Sequence, residues 1–341
     1  MTRQMVVDKV LELFLKNPYE LGLRQVETPP APVDDEVKIR VNYGGICGSD
    51  LGVFRGKLHH AKYPLRPGHE LVGTVMEAGN SAAFQVGTRV VVLPNTYCGE
   101  CRFCLQGDTN ICLHKKSLGV NIDGGFSQEF IISSKFVMAI PDDLSDEKAV
   151  LIEPLAVVVH AFKKVHITKD TTVCIVGCGN EGMLAAVLAD YLGARVTATD
   201  INPKKLELVK KLGVNIRAIL PGELQHDVYD VVIEAGGTRS SVEQGIQLVR
   251  PGGAMVVIGL AQEANMPVAH IVRNELTIFG TIIYNFPADY LRTIAYLQDP
   301  NFHANGIVSM IMPFTNYKEA FESALSGEYG KIVLNFKQDG D

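Results

Sequence analysis

Two rhythms of apolar and polar positions succeed one another along the chain. Up to about Pro154 the apolar runs are short and broken by glycine and proline. Val37-Lys38-Ile39-Arg40-Val41 alternates with period two, and Leu71 to Met76 and Val90 to Leu93 are further apolar strands. From about Ala156 the rhythm changes. Thr172 to Val176 is a continuous apolar run, the pattern of a strand buried on both faces of a parallel sheet. A helical stretch follows from Gly182 to Leu192, then a strand from Arg195 to Thr199 and a helix from Pro203 to Leu212. Asp230 to Glu234, Ala254 to Ile258 and Glu275 to Gly280 supply later strands. Strands alternating with helices predict an α/β, doubly wound sheet, preceded here by a mostly-β unit. The tail from about Arg292 ends in Lys331 to Phe336, a strand able to return to the first unit. The predicted division is therefore 1–155 with 293–341 against 156–292.

Composition narrows the class. A length of 341 residues suits about two domains, and 47% hydrophobic with 21% charged residues is ordinary for a globular chain. A net charge of −6 offers no basic face for nucleic acid. No apolar run approaches the ~20 residues of a membrane helix. The opening Met1 to Val6 lacks a charged-then-apolar export pattern, so a cytoplasmic setting is expected.

Cys98, Cys101, Cys104 and Cys112 form C-x2-C-x2-C-x7-C, within a lobe spanning about 95–117. Thiolates at two-residue gaps suit a closed tetrahedral zinc site. Disulfides would need an oxidising compartment and usually a small secreted domain. An iron–sulfur cluster is the minor alternative. Four thiolates leave a zinc site at a formal −2, and Arg102, Lys115 and Lys116 stand nearby in sequence to offset it.

Gly177-Cys178-Gly179-Asn180-Glu181-Gly182 fits G-x-G-x-x-G, following a buried strand and opening a helix. Its glycines permit a tight turn and close backbone approach to a pyrophosphate on the helix's positive end. Asp200 closes the next strand eighteen residues after Gly182, placed to accept from both ribose hydroxyls, though a helix cap before Pro203 is an alternative role. Lys204 and Lys205 follow it and can swing toward a phosphate, and Lys205 is counted with the cofactor-binding set. Glu181 is an acid in the phosphate turn, a departure that weakens the site for an anion. A separate constellation comprises Cys47 in Gly45-Ile46-Cys47-Gly48-Ser49-Asp50, His69 and Glu70 in Gly68-His69-Glu70, and Glu153 before Pro154. Singly, each has a structural explanation. Together they offer sulfur, nitrogen and carboxylate oxygen, the mixed donor set of an open zinc site.

With these motifs in this order the chain resembles the zinc-containing medium-chain dehydrogenases, the superfamily of alcohol, sorbitol and threonine dehydrogenases. The resemblance covers nearly the whole chain. It implies a GroES-like mostly-β catalytic domain joined to a Rossmann domain, two zinc ions per chain and NAD. It implies Cys47, His69 and either Glu153 or Glu70 around a catalytic zinc, and the four-cysteine lobe around a structural zinc. Glu153, where other branches carry cysteine, points toward the polyol and threonine branches. Ser49 resembles the family's hydroxyl that starts the proton relay. The relay histidine of many relatives is replaced by Gly52, leaving water, the second carboxylate, His59 or His60 as its end. The arginine of a sorbitol-type arginine–tyrosine pair is replaced by Ile283 beside Tyr284, which favours a smaller or less hydroxylated alcohol. Phe54 and Phe286 are candidates for the apolar side of that site. The expected reaction is zinc-dependent hydride transfer between a secondary alcohol, whether polyol, sugar derivative or vicinal diol, and NAD. L-Threonine and sugar acids are alternative substrates. A zinc-free reductase and a non-catalytic scaffold are the rival readings. A small-molecule alcohol or ketone is the expected partner, and a homo-oligomer, dimer or tetramer, is expected from the resemblance.

Overall fold

The computed structural model describes residues 9–212 and 215–337, so the opening Met1 to Val6 lies outside it. Six parallel strands form one sheet in the order Ile216–Ile219, Arg195–Thr199, Thr172–Val176, Tyr229–Glu234, Val249–Val257, Thr277–Gly280. The chain starts in the middle, winds outward, then returns to wind the other way. This is the doubly wound order, and its reversal between Thr172–Val176 and Tyr229–Glu234 leaves a crevice at the strands' carboxyl ends. The apolar run at Thr172–Val176 is central, with Val173, Cys174 and Ile175 wholly buried.

The other sheet has seven strands. Its middle is Glu36–Ile46, which pairs antiparallel with Glu70–Ala78, Glu129–Ser133 and Lys331–Asn335. The tail strand thus does return to the first unit. Alternation at Val37, Ile39 and Val41 aims three side chains into the core, each no more than 1% exposed. The hairpin Lys9–Leu15 and Leu21–Glu27 lies beside this sheet and was not expected from the pattern.

Two helices differ from expectation. The phosphate-turn helix begins at Asn180, two residues before Gly182, because Gly179 in extended backbone serves as its N-cap. Ile152–Phe162 is helical although Pro154 stands inside it. Proline is tolerated there because the first turn needs no backbone donor. Ten of its eleven residues are buried, so it reads as apolar on every face and shows no amphipathic rhythm. It packs against Asn180–Tyr191 and Ala288–Gln298. The latter helix runs through position 292, where the pattern put the change of domain.

Candidate active site

The four lobe sulfurs converge. Neighbouring Sγ atoms lie 3.5 Å (Cys101–Cys104), 3.6 Å (Cys98–Cys112), 3.9 Å (Cys98–Cys104) and 4.0 Å (Cys101–Cys112) apart, and all four thiols are free. A tetrahedron with Zn–S bonds of about 2.3 Å has edges of about 3.8 Å. The four donors therefore outline the shell of one metal ion, whereas a disulfide would hold two sulfurs at about 2.05 Å. Backbone N–H groups of Cys98, Cys101 and His114 donate to sulfurs in the lobe. Donation of backbone N–H groups lowers the Cys101 thiol to about 6. Of the cations expected to offset the charge, Lys115 donates to the Asn110 carbonyl at 2.8 Å. The Arg102 guanidinium lies over the Phe103 ring.

A second donor group is formed by Cys47, His69 and Glu70, whose ligand atoms lie within 4.8 Å of one another. Cys47 precedes the short helix Gly48–Phe54, His69 ends a loop, and Glu70 opens the next strand. Asp50, missed in the sequence reading, ties these together. It is 1% exposed, and its carboxylate accepts from the backbone of Cys47 (3.0 Å) and Gly68 (3.2 Å). It also approaches His69 Nδ1 at 3.3 Å. That approach falls short of hydrogen-bond alignment, so Nδ1 is a buried nitrogen without a hydrogen-bond partner. The signal was the Cys47-x-x-Asp50 spacing, an acid in the first turn after a ligand candidate. Burial pushes the Cys47 thiol up, and Glu70 and Glu181 push it further, so a cation is what would stabilise its thiolate. Burial would push His69 down, but Asp50 holds it well above the ordinary histidine value. This set of sulfur, nitrogen and oxygen, short of positive charge, fits zinc with an open position.

The two carboxylate candidates stand differently. Both oxygens of Glu70 lie 2.6 Å from the Lys331 ammonium. Glu153, on the second residue of its helix, stays outside the three-donor group. Burial pushes it up to about 7, with His69 opposing and Glu70 adding. The nearby Tyr284 hydroxyl opposes that rise, and it accepts from Asn95 at 3.2 Å. Tyr284, expected to face substrate, is instead buried at 2% exposure with its hydroxyl bonded to Asn95. Ile283 has a φ of 40°, left-handed backbone that a β-branched residue rarely adopts, and it packs on the core. Phe54 meets Tyr19 edge-on and Phe321 at a tilt, and Phe286 meets Tyr290 edge-on, so packing accounts for both rings. Ser49 Oγ lies 3.2 Å from His69 Nε2. Gly52 is buried, and exposed His59 meets Gln262 of the other sheet's unit at 3.4 Å.

The glycine turn lies at the crevice. Gly177 has a φ of 93°, and a Cβ there would sit 2.6 Å from Gly236, which follows the strand across the switch point. A Cβ on Gly182 would meet the Gly177 carbonyl oxygen at 1.8 Å, so helix and turn touch through glycine alone. Gly179 has open space around it. A cavity of about 460 Å³ opens here, lined by Val176, Gly177, Thr199, Asp200, Thr238 and Ser241 among others. Asp200 accepts from the backbone of Cys178 (2.7 Å) and Asn202 (2.8 Å). Asn202, not Asp200, caps the helix Pro203–Lys210. Lys204 is paired with Glu328 and Lys205 donates to the Tyr329 carbonyl, and neither lines the cavity. Glu234, also missed, is wholly buried beneath the cavity, where it accepts from Gly236, Gly237 and Ser241.

Comparison with known proteins agrees with this geometry. The family model of the alcohol dehydrogenase GroES-like domain matches residues 33–142, and that of the zinc-binding dehydrogenase matches residues 182–299. The chain is 32% identical to a sorbitol dehydrogenase of Halalkalibacterium halodurans, over 91% of this chain and 94% of that one. It is 31% identical to a D-arabitol-phosphate dehydrogenase of Enterococcus avium, over 89% and 91%. Among solved structures, galactitol-1-phosphate dehydrogenase from Escherichia coli is similar with a TM-score of 0.87 and 26% identity, covering 95% of this chain and 99% of that one. A zinc-binding dehydrogenase from Sinorhizobium meliloti bound to NADP superposes with a TM-score of 0.89 at 25% identity, covering 96% and 99%.

Proposed function

The chain belongs to the zinc-binding dehydrogenases, with a GroES-like domain and a Rossmann domain, and from that membership we propose how its residues divide the work. It is an NAD-dependent zinc enzyme of the alcohol and polyol type, moving hydride between a secondary alcohol and NAD. Cys47 and His69, with Glu70 or Glu153 supplying oxygen, would hold the catalytic zinc, and Cys98, Cys101, Cys104 and Cys112 the structural one. Gly177, Gly179 and Gly182 would receive the pyrophosphate and Asp200 the adenosine ribose.

What carries the reading is the meeting of two sites across the cleft. The donor group and the phosphate turn come together where Cys47 Sγ and Glu181 Oε1 lie 3.8 Å apart. A zinc ion held there would lower the pKa of a bound hydroxyl and polarise a carbonyl. Ser49, whose Oγ lies 3.2 Å from His69 Nε2, would take the hydroxyl proton and pass it outward. Asp50 would hold the loops that carry Cys47 and His69 through the backbone of Cys47 and Gly68, with its charge facing the His69 ring. Glu153, 5% exposed and raised by burial to about 7, would be able to carry a proton near neutral pH.

Ile283 contributes no donor, and the Tyr284 hydroxyl is engaged, so we expect short diols and hydroxy-acid derivatives to compete with long polyols. A panel of polyols, phosphorylated polyols, diols, threonine and sugar acids, followed by NADH formation at alkaline pH, tests this. Efficient turnover of long polyols alone would sink the argument from Ile283, and no turnover of any alcohol would sink the residue assignments. A homo-oligomer is also proposed, because Thr277–Gly280 is one of the two open edges of the six-stranded sheet and could pair with a second copy. A monomeric mass by light scattering would end it. Seven free cysteines suit a reducing cytoplasm, and among the described residues no helix is long and apolar enough to cross a membrane.

A further inference from the structure

Glu181 is an acid in a turn whose task is to receive an anion, and its side chain reaches across the cleft. It is the second residue of Asn180–Tyr191. An acid in the first turn favours the helix's positive end, but that holds whichever way the carboxylate points. Here Oε1 stands 3.8 Å from Cys47 Sγ. Lys331 and Lys205 feel its charge. Yet Lys331 is paired with Glu70, and Lys205 donates to the Tyr329 carbonyl. Among the described residues Glu181 makes no ion pair of its own.

The reaction assigned above, on which this inference rests, supplies a cationic partner. The carbinol C–H bond breaks, its electron pair leaves as hydride to C4 of the nicotinamide, and the hydroxyl proton departs to solvent. The reacting carbons must come within about 3–3.5 Å of one another. With the alcohol at Cys47 and His69 and the pyrophosphate at Gly177 to Gly182, the nicotinamide ring must lie in the gap that Glu181 crosses. That ring is cationic in NAD and neutral in NADH, while the rest of the dinucleotide is unchanged. A carboxylate beside the ring stabilises the oxidised form alone. Its repulsion of the pyrophosphate falls equally on both forms. We propose that Glu181 is a specificity-determining residue that makes the site favour the oxidised cofactor and so biases the enzyme toward alcohol oxidation.

The test uses the zinc-replete full chain and its Glu181→Gln variant, which keeps the side chain's shape. Dissociation constants are measured for NAD by calorimetry, for NADH by fluorescence, and for ADP-ribose, which lacks the ring. The ratio of the NADH to the NAD constant should fall about fivefold or more in the variant. The ADP-ribose constant reports the effect on the pyrophosphate alone. Equal changes for NAD, NADH and ADP-ribose, or no change in any, would overturn the proposal while leaving the dehydrogenase reading intact. Wild-type protein that bound neither NAD nor NADH would remove that reading and this inference with it.

Discussion

Glu70 and Lys331 form a wholly buried ion pair, with both carboxylate oxygens 2.6 Å from the ammonium. Burial would push Lys331 down, but Glu70, aided by Cys47 and Glu181, holds it above the ordinary lysine value. The pair crosses the end of the strand Glu36–Ile46. Glu70 pairs with Gly45 in the ladder, and Ile332, next to Lys331, pairs with Ile46. A Cβ on Gly45 would sit 2.1 Å from Glu70 Oε2. Glycine at that strand position is what lets the carboxylate pass over the middle strand to the tail strand.

Removing one member of such a pair leaves an unpaired buried charge, at a cost of about 3–5 kcal/mol. Lys331→Met and Glu70→Gln are each expected to lower stability by about that much. The double variant should lose clearly less than the sum, because neither charge remains. Urea unfolding of all four proteins, loaded with zinc, measures the coupling. Additive losses would mean that the two side chains do not act as a pair.

The two metal sites should differ in lability. Four thiolates enclose one, while the other has oxygen ligands, of which Glu70 is shared with Lys331, and an exchangeable position. Dialysis against a mild chelator should remove about one zinc per chain quickly and abolish turnover, with the second lost far more slowly. Cys47→Ser should remove the labile ion only, and Cys104→Ser the resistant one. Equal rates of loss would count against the assignment of the two sites.

Much of this was legible in the chain because the signals were local. The lobe cysteines lie within fifteen positions, so their spacing alone brings them together. Thr172–Val176, with its glycine turn, declared the dinucleotide unit, and the return of Lys331–Asn335 to the first sheet followed from its apolar run. What escaped notice depended on contacts distant in sequence. Lys331 opens an apolar strand, and nothing nearby says that its partner stands 261 positions earlier. Tyr284 faces Glu153 rather than solvent because the helix Ile152–Phe162 is buried on every side, which its unpatterned run concealed. Asn202 takes the capping role considered for Asp200, a choice of two residues that spacing could not resolve.

Preference for NAD over NADP follows from Asp200 and from what surrounds it. Its carboxylate lines the cavity and would meet a 2′-phosphate with like charge. The two lysines that might have rescued NADP are engaged, Lys204 with Glu328 and Lys205 with the Tyr329 carbonyl. Wild-type kcat/KM should favour NAD by roughly 100-fold or more, corresponding to at least about 3 kcal/mol. Asp200→Ala should lose most of that preference by worsening NAD, with NADP gaining modestly. A wild-type enzyme using NADP as well as NAD would refute the role given to Asp200.

Acid sensitivity should reside partly in Asp146, which is 8% exposed at the start of a short helix. Its carboxylate accepts from Arg89 Nε (3.0 Å) and Nη2 (2.6 Å), from Lys337 (2.9 Å) and from Asn42 (3.0 Å). Burial would raise its pKa, but Lys337 and Arg89 prevail and hold it below the ordinary aspartate value. A carboxyl depressed in the folded state contributes stability above its unfolded pKa of about 3.9, and loses it as pH falls through the folded value. Lys337 is about a third exposed, so solvent screening leaves the larger share to Arg89. Asp146→Asn should therefore cost roughly 1–3 kcal/mol at neutral pH. The gap to wild type should hold down to about pH 5 and narrow below pH 4 as the wild-type carboxyl protonates. Zinc loss in acid is common to both proteins, so the difference between their urea midpoints isolates this group. A gap that stayed constant through pH 3 would show that Asp146 contributes by packing and neutral hydrogen bonds instead of by charge.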